Sequence, residues 1–422
     1  SKHGGTVLLT LYDIEKAYPR VHRSTLWKLL GHLGVNPQFI NVCKALHDHT
    51  TFRVKVEGLI SSAYTANRGL REGCPSSPPL FNLYHHAVME DYRQRRAAAA
   101  QANGQTPGLP WKAQIDGRLE RSKEDKTTTR NVCETIIGDV EFADDIATFA
   151  TEAEHATADR ILEETFTDWA EKINRGKTET LRLRPNAPPE KRQRTAEDIP
   201  AVRHVGGYIS EAATQWRDTV HRNIMGKNNA RKVAKAWSLG SRRGRGRSSG
   251  VKLGTRLRVM KCTVVPTLTA YGRSRAWTKA QLKTLQGTQN YALQRAMGLD
   301  RLAMQEYHIT NKQLHAAAGW EQVETTLARN TLKWLGHVAR MDKGRLPKLA
   351  LWGWWSEGET KTKHATRQTQ WLRTVLKKAD IHEMHWFRQA QNWDQTKWDA
   401  LSRNAFPPTS LSKKDRQKLD KW

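Results

Sequence analysis

Two adjacent aspartates, Asp144 and Asp145, stand between two β-prone segments within residues 136–150. The flanking Ile, Val and Phe residues predict a strand, a turn and a second strand, with both carboxylates at the tip. Neighbouring carboxylates repel each other, and hard divalent cations, which prefer carboxylate oxygens, would offset that repulsion. Because aspartate is also common in ordinary turns, the pair is a candidate metal site only in combination with other residues.

A third acid follows the apolar run 7–12, whose length and composition predict a buried strand. The strand would carry Asp13 at its C-terminal end, where an aspartate can also serve as a helix cap. An aromatic residue, Tyr18, comes shortly after it. These residue types indicate a second candidate position for chemistry, far along the chain from the first.

A stretch rich in Gly and Pro, residues 68–82, predicts a tight loop that leads into a helix extending to about Arg96. The free backbone N–H groups at the start of a helix can bind an anion or a sugar hydroxyl. A purely structural loop is the open alternative.

The charge of the chain indicates its class of partner. Its 422 residues suffice for two or three domains, and a formal net charge of +28 favours a polyanion, most commonly nucleic acid. Residues 216–262 contain fourteen Lys or Arg and one acid, Asp218. A flexible segment within them would follow a phosphate backbone through Arg242, Arg243, Arg245 and Arg247. A solvated basic surface is the alternative, which such dense charge of one sign disfavours.

The four cysteines are far apart, and their spacing predicts neither a disulfide framework nor a zinc site. No run reaches the ~18 apolar residues that span a bilayer, and the N-terminus has no signal-peptide pattern. We therefore expect an intracellular protein that is not secreted and has no membrane partner, located in the nucleus or in a cytoplasmic ribonucleoprotein.

Three further segments are predicted from their composition. Residues 97–130 are expected to form a surface insertion, and residues 202–209 a short strand pair hinged at Gly206. Ten of the sixteen tryptophans lie beyond residue 300. Trp334 is expected in the core, because its neighbours in the sequence are apolar at helical spacing. The group 352–355 could be core or could stack on bases, and the sequence leaves this open.

Taken in order, six segments resemble the reverse transcriptase of a non-LTR (LINE-type) retrotransposon. They are residues 13–18 (DIEKAY), 69–81 (GLREGCPSSPPLF), 142–145 (FADD), 174–179 (NRGKTE), 204–206 (HVG) and 334–341 (WLGHVARM). Each segment is weakly specific alone, whereas five in the order of the polymerase palm are strongly specific. In that family the fingers lie upstream of the first segment, so we expect a fragment that lacks the upstream fingers.

The resemblance implies an α+β fold: a right-hand polymerase palm, made of an antiparallel sheet with packed helices, then a mostly α-helical thumb and C-terminal region. The predicted division is a palm with partial fingers elements at 1–184 and a linker with a primer-grip hairpin at 185–210. A basic helical thumb at 211–300 and a helical Trp- and Arg-rich C-terminal region at 301–422 would follow.

The implied activity is that of an RNA-directed DNA polymerase, a nucleotidyltransferase that joins dNTPs to a primer 3′-hydroxyl. It would use two Mg²⁺ ions, or Mn²⁺, about 3.5–4 Å apart. Asp13 and Asp144 would bind them from two strands, with Asp145 in support. Lys177 would neutralise or protonate the leaving pyrophosphate. The implied partners are an RNA template, a DNA primer or target, and dNTPs.

The resemblance also implies two binding sets. Nucleotide contacts would come from Tyr18, Glu72, Gly73, Ser77 and Pro78, and primer contacts from His204 and Gly206. The flat ring of Tyr18 under the sugar would exclude a ribose 2′-hydroxyl. The family usually has Gln at the position of Glu72, and a carboxylate cannot donate the hydrogen bonds of an amide.

Two other functions are weighed against this one. A catalytically dead retroelement remnant would only bind nucleic acid, through residues 216–262. A polymerase that copies RNA into RNA is disfavoured by the aromatic ring at Tyr18.

Overall fold

The computed structural model describes residues 6–48, 50–118, 132–183, 201–211, 215–238, 251–299, 301–306, 308–355 and 367–407. Strand β1 (Val7–Asp13) opens the chain, followed by helices α1 (Ala17–Arg20), α2 (Arg23–His32) and α3 (Pro37–His47). Two small hairpins come next, built from β2 (Thr51–Phe52), β3 (Lys55–Val56), β4 (Leu59–Ile60) and β5 (Tyr64–Thr65). The long helix α4 (Ser77–Ala102) then precedes β6 (Leu109–Gln114), β7 (Val132–Ile137), β8 (Asp139–Phe142) and β9 (Asp145–Thr151).

Helices dominate the rest of the chain. Helix α5 (His155–Asp168) and strand β10 (Glu179–Leu183) complete the first half, and β11 (Ala201–His204) and β12 (Gly207–Ser210) form a hairpin. The second half contains α6 (Trp216–Ser238), α7 (Leu253–Thr269), α8 (Lys279–Met297), α9 (Arg301–Glu306), α10 (Asn311–Ala317), α11 (Val323–Arg340), α12 (Leu346–Trp352), β13 (Gly353–Trp355), α13 (Arg367–Lys378), α14 (Trp386–Asn392) and α15 (Gln395–Asn404). None of the described helices is both long enough and apolar enough to cross a membrane.

A four-stranded antiparallel sheet in the order β10-β1-β9-β8 lies at the centre of the first half. Its central strand β1 is buried on both faces, which explains why the run 7–12 is apolar without alternation. One face packs on α4 and α5 through residues such as Tyr12, Ile146, Phe81 and Phe166. The other face, with Leu9 and Leu11, packs on Val202 of the β11–β12 hairpin. The predicted α+β fold with an antiparallel palm sheet is confirmed.

The second half is built around one apolar cluster that extends from Ala230 to Phe406. Its centre is α11, which contacts α8, α13, α14 and α15. Gly336 on α11 is needed there, because a side-chain carbon at that position would overlap the indole ring of Trp398. The cluster contains residues from both sides of position 300, and the division into a thumb and a C-terminal region stays a prediction.

Most of the described C-terminal tryptophans serve this core. Trp320, Trp386 and Trp398 are almost fully buried, and the indole N–H of Trp398 donates to the Leu332 carbonyl at 2.8 Å. Trp352 is buried as well and stacks on Trp386, with ring centroids 5.8 Å apart. Trp352 is therefore a core residue rather than a platform for bases.

The prediction of a surface insertion at 97–130 is wrong for its described part. Helix α4 continues to Ala102, and β6 is the middle strand of a second sheet, in the order β13-β6-β7. Strand β13 of the C-terminal region pairs with β6 over residues 111–113. The indole N–H of Trp111 donates to the Leu349 carbonyl, and that of Trp386 donates to the Gly117 carbonyl. This stretch therefore joins the two halves of the molecule.

Candidate active site

Asp13 and Asp145 lie directly opposite each other on the neighbouring antiparallel strands β1 and β9. Side chains at opposed positions share one face of a sheet, with Cβ atoms about 4.5–5.5 Å apart. The two aspartates therefore lie side by side on one face, as the sequence-based expectation of acids from two strands requires. The aspartate in register with Asp13 is Asp145, whereas the sequence favoured Asp144.

Asp144 occupies the turn of the β8–β9 hairpin and is exposed. The predicted hairpin is present, and Ala143 beside Asp144 has a left-handed backbone with φ of 57°. An alanine rarely adopts this conformation, which costs roughly 1–2 kcal/mol. The turn thus places Asp144 at the tip, next to the opposed pair.

Lys177 reaches the same place from the loop that precedes β10. Its Nζ lies 3.1 Å from Asp13 Oδ2, which also accepts a hydrogen bond from Asn174 Nδ2 at 3.2 Å. The backbone fixes the loop, because the N–H of Asn174 donates to the Asp13 carbonyl at 2.8 Å. The side chain of Lys177 is 66% exposed, so solvent screens this ion pair and it adds little to stability. Lys177 is thus available to another anion.

The fit of this site to a divalent cation rests on its oxygen donors. Two opposed carboxylates repel each other and supply the ligand type that Mg²⁺ prefers. Within the described residues, no group of three or more His, Cys, Asp or Glu side chains is arranged around one point. Asp13 and Asp145 fit such a cation, and Asp144 would have to turn toward them.

All five predicted nucleotide contacts line one cavity of about 490 Å³: Tyr18, Glu72, Gly73, Ser77 and Pro78. Cys74 and Pro75 complete the lining. Cys74 was not singled out from the sequence, although it lies within the loop that the sequence indicated. A hydrogen bond with the Ser76 hydroxyl lowers the pKa of the Cys74 thiol below its usual value.

The loop that forms this cavity is held on α1 by its backbone. The Leu70 N–H donates to the Tyr18 carbonyl at 2.8 Å, and Ser77 Oγ donates to the Arg71 carbonyl at 2.7 Å. Gly69 has φ of +86°, and a side-chain carbon there would lie 2.6 Å from the Pro19 carbonyl oxygen. The ring of Tyr18 stacks on Phe81 of α4 at 4.8 Å between centroids. Tyr18 therefore presents a fixed plane to the cavity.

The hairpin with His204 and Gly206 lies on the sheet face that carries the carboxylates. Burial lowers the pKa of His204 below its usual value, and the charge of Asp145 partly offsets this. Val202 of the same hairpin packs with Leu11 and Ala147, on the sheet face of Asp13 and Asp145. On its other side the hairpin is anchored to α6, because the Tyr208 N–H donates to Asp218 Oδ1 at 3.1 Å. Asp218 is buried and paired with Arg222 and Arg275.

Arginines of α4, which the sequence did not indicate, hold the carboxylate hairpin from behind. Arg93 binds Asp139 at 2.6 Å and also pairs with Glu141, both on β8. Arg96 binds Glu154 at 2.6 Å and donates to the carbonyls of Gly138 and Phe149. The same helix forms the wall of the nucleotide cavity at its start. One rigid element therefore connects the cavity with the strands that carry Asp145.

The four arginines of the basic segment, Arg242, Arg243, Arg245 and Arg247, lie outside the described residues. Their role in binding nucleic acid stays a prediction.

The sequence was compared with known families, and the structure with solved structures. A family described as "Reverse transcriptase (RNA-dependent DNA polymerase)" matches residues 1–221. Two telomerase structures in complex with a TWJ fragment of telomeric RNA are similar. The one from Candida albicans has 12% identity and a TM-score of 0.33, covering 74% of this chain and 47% of that chain. The one from Candida tropicalis has 11% identity and a TM-score of 0.38, covering 89% and 50%. The chain thus spans about half the length of these telomerase chains.

Proposed function

The chain belongs to the reverse transcriptase (RNA-dependent DNA polymerase) family, and we propose that it is the polymerase of a non-LTR retrotransposon, copying RNA into DNA. The observation that carries this proposal is the opposed pair Asp13 and Asp145, with Lys177 beside it. The order of the six sequence segments supports the non-LTR assignment.

Mg²⁺ is the proposed cofactor, held by Asp13 and Asp145, with Asp144 joining from the turn. Two bound ions would clamp the entering and leaving oxygens of an in-line phosphoryl displacement. The chain itself supplies a further cation, Lys177. Its ammonium group can leave the ion pair with Asp13 and bind the leaving pyrophosphate instead. Breaking the pair costs little, since it is exposed and screened by solvent.

A deoxynucleoside triphosphate would occupy the cavity beside Tyr18. The stack on Phe81 fixes the ring, so Tyr18 would meet a ribose 2′-hydroxyl as a rigid wall. Gly73, with φ of +79° and open space around its Cα, lets the ligand approach the backbone closely. Glu72 is an exposed carboxylate at the same rim and would repel a triphosphate rather than donate a hydrogen bond.

The proposed nucleic-acid partners are an RNA template and a DNA primer. The primer end would lie under the β11–β12 hairpin, on the sheet face that carries Asp13 and Asp145. The buried Asp218 on α6 anchors that hairpin through a hydrogen bond, so His204 and Gly206 would keep a fixed position relative to the carboxylates.

The test is extension of a DNA primer on an RNA template by the full chain with Mg²⁺ and dNTPs. We expect extension by the parent chain and its loss in Asp145→Asn, with RNA binding unchanged. Asp168→Asn is the matched control, because Asp168 is exposed on α5 and, among the described residues, pairs with the partly exposed Arg95 alone. Extension by Asp145→Asn at the parent rate would contradict the proposed site.

The nucleic-acid-binding remnant is the rival function. It is favoured if the parent chain binds RNA but never extends a primer, also when upstream fingers are supplied.

A further inference from the structure

A second cavity, of about 680 Å³, lies between α11, α15 and the turn that follows α7. It is separate from the nucleotide cavity and shares no lining residue with it. Part of its wall comes from residues 334–341, a segment that the polymerase chemistry described above does not use.

One face of α11 lines this cavity. Asn330, Lys333, Trp334, His337 and Arg340 recur every three or four residues and all line it. The opposite face of the helix, with Leu332, Leu335 and Ala339, is fully buried in the core. The sequence predicted a core position for Trp334, but the structure places it half-buried at the boundary. Since residues at this spacing form one stripe on a helix, α11 presents a continuous polar and aromatic wall.

The cavity is positively charged. Its lining contains Arg273, Lys333 and Arg340 against one acid, Asp399. Arg340 is held in place by a hydrogen bond to the Ala390 carbonyl at 3.0 Å. Within the described part of the chain, neither Arg273 nor Lys333 forms an ion pair, and both are at least partly exposed. Cations that the fold leaves without an acidic partner are available to an external anion.

Two aromatic rings accompany these cations. Tyr271 is 53% exposed and has a left-handed backbone, with φ of 53°. Its ring is held by Arg222, whose guanidinium lies 5.6 Å from the ring centroid. Trp334 provides the second ring from the α11 wall. Aromatic rings beside cations form stacking platforms for unpaired bases, whose phosphates the cations neutralise. In a duplex the bases are stacked on one another and could not use such rings.

The position of the cavity relates it to the carboxylate pair. The Tyr271 ring packs against Gly206, where a side-chain carbon would lie 3.2 Å from the tyrosine oxygen. Gly206 belongs to the hairpin whose Val202 packs with Leu11 and Ala147, on the sheet face of Asp13 and Asp145. The hairpin therefore contacts both that sheet face and Tyr271 of the cavity.

We propose that this cavity binds an unpaired segment of a nucleic-acid strand, with a base on Trp334 or Tyr271 and phosphates on Arg273 and Lys333. The proposal goes beyond polymerase activity, because binding requires neither nucleotides nor a metal ion. It gives the C-terminal half a nucleic-acid contact in addition to the one predicted for the arginines at 242, 243, 245 and 247.

The first experiment locates the contact by photo-crosslinking. Short single-stranded RNA and DNA oligonucleotides of one sequence, carrying 5-iodouracil, are irradiated with the full chain, and crosslinked peptides are identified by mass spectrometry. We expect crosslinks at Trp334 or Tyr271, and the two oligonucleotides report whether RNA or DNA is preferred. Crosslinks confined to other peptides with both oligonucleotides would overturn the proposal.

The second experiment measures the energetics by fluorescence anisotropy. Replacing Arg273 and Lys333 together by Gln should lower the slope of log affinity against log salt by about 1.4 for a single strand. Lys283→Gln with Lys312→Gln removes the same charge from exposed positions on α8 and α10 that do not line the cavity. Equal changes in the two double variants would mean that only overall charge matters, which contradicts the site.

Trp334 is tested with two substitutions, because it also touches the core. Trp334→Leu should weaken binding about tenfold by removing a stacking platform, whereas Trp334→Phe should retain most of the affinity. Thermal unfolding shows whether each variant is folded. Asp168→Asn, which changes neither site, should bind like the parent. Binding is measured without nucleotides or a metal ion, so a failed polymerase assignment would leave this result intact. Full affinity in a folded Trp334→Leu would remove the stacking role.

Discussion

The palm sheet and the C-terminal helices use their conspicuous residues in opposite ways. In the palm, Asp13, Asp145 and Lys177 meet at the ends of strands, partly exposed and with little role in packing. In the C-terminal half, Trp320, Trp386 and Trp398 are buried, and the indole N–H groups of Trp386 and Trp398 bind backbone carbonyls. The difference shows that a conspicuous residue type, such as Asp or Trp, indicates function only where that residue does not already contribute to the packing of the core. Polar residues at a strand end meet that condition, and core tryptophans do not.

The largest expected effect separates chemistry from stability in the palm. Asp13→Asn should lower the primer-extension rate about a thousandfold, because several kcal/mol of transition-state stabilisation depend on metal-bound carboxylates. The free energy of unfolding should hardly change, since the variant removes a repulsion with Asp145 and only a screened ion pair. Single-turnover extension and urea unfolding measure the two quantities. A large loss of stability would place Asp13 among the structural residues instead.

The corresponding substitution in the C-terminal core should act on stability. Trp398→Ala removes a fully buried ring and its hydrogen bond to Leu332, which should cost about 3–5 kcal/mol of unfolding free energy. Trp216→Ala is the control, because Trp216 is 38% exposed and should change stability by less than about 1 kcal/mol. Similar losses of stability in both variants would show that burial of Trp398 in the core does not set its contribution.

Substrate selection is expected to depend on one ring of the palm. Tyr18→Ala should raise ribonucleotide incorporation relative to deoxyribonucleotide incorporation about tenfold or more, because the wall under the sugar is removed. Tyr18→Phe keeps the ring and should keep the discrimination. The ratio of kcat/KM values for paired nucleotides measures the effect. An unchanged ratio in Tyr18→Ala would move sugar recognition elsewhere in the cavity.

The smallest effect concerns pH and belongs to the C-terminal half. Burial lowers the pKa of His315 below 6.5, partly offset by the Trp320 carbonyl. The described side chains that hydrogen-bond its imidazole, Gln286 and Asn290, do not titrate. The unfolded chain therefore binds this proton more readily, so the stability contributed by neutral His315 is complete above about pH 6.5 and decreases below it. The free energy of unfolding, measured between about pH 5 and 7, should depend less on pH in His315→Gln than in the parent chain. An unchanged pH dependence would show that His315 is not its source.

Much of the palm could be predicted from the sequence because its chemistry is encoded locally. The segment 69–81 supplies the lining of the cavity beside Tyr18, so four of the five predicted contacts followed from one motif, and Tyr18 came from the segment 13–18. The sequence favoured Asp144 as the partner of Asp13, whereas the register pairs Asp13 with Asp145. Strand register could not be predicted, and a shift of one residue turns a side chain to the other face. The pairing of Arg93 and Arg96 with β8 and Glu154 was missed for a related reason. It follows from how α4 packs on the sheet, and no local spacing expresses that.

The C-terminal half was less predictable, because the amphipathic pattern of its helices is compatible with many different arrangements of those helices. The apolar spacing around Trp334 was visible as a pattern, but whether Trp334 faced a core or a cavity depended on α15 and on the turn at Tyr271. Strand β13 is too short to be recognised, and its partner β6 lies in the first half of the chain.

The β6–β13 pairing also sets an order of events during protein synthesis. Residues 353–355 leave the ribosome long after residues 109–114, so one edge of β6 stays unpaired until residues 353–355 have also emerged. An unpaired strand edge readily takes up another chain, and nascent polypeptides of this length are most exposed to that hazard. A truncated translation product that ends before Gly353 would carry the open edge permanently. Such shortened chains should associate with one another, whereas chains that include residues 353–355 close the edge themselves.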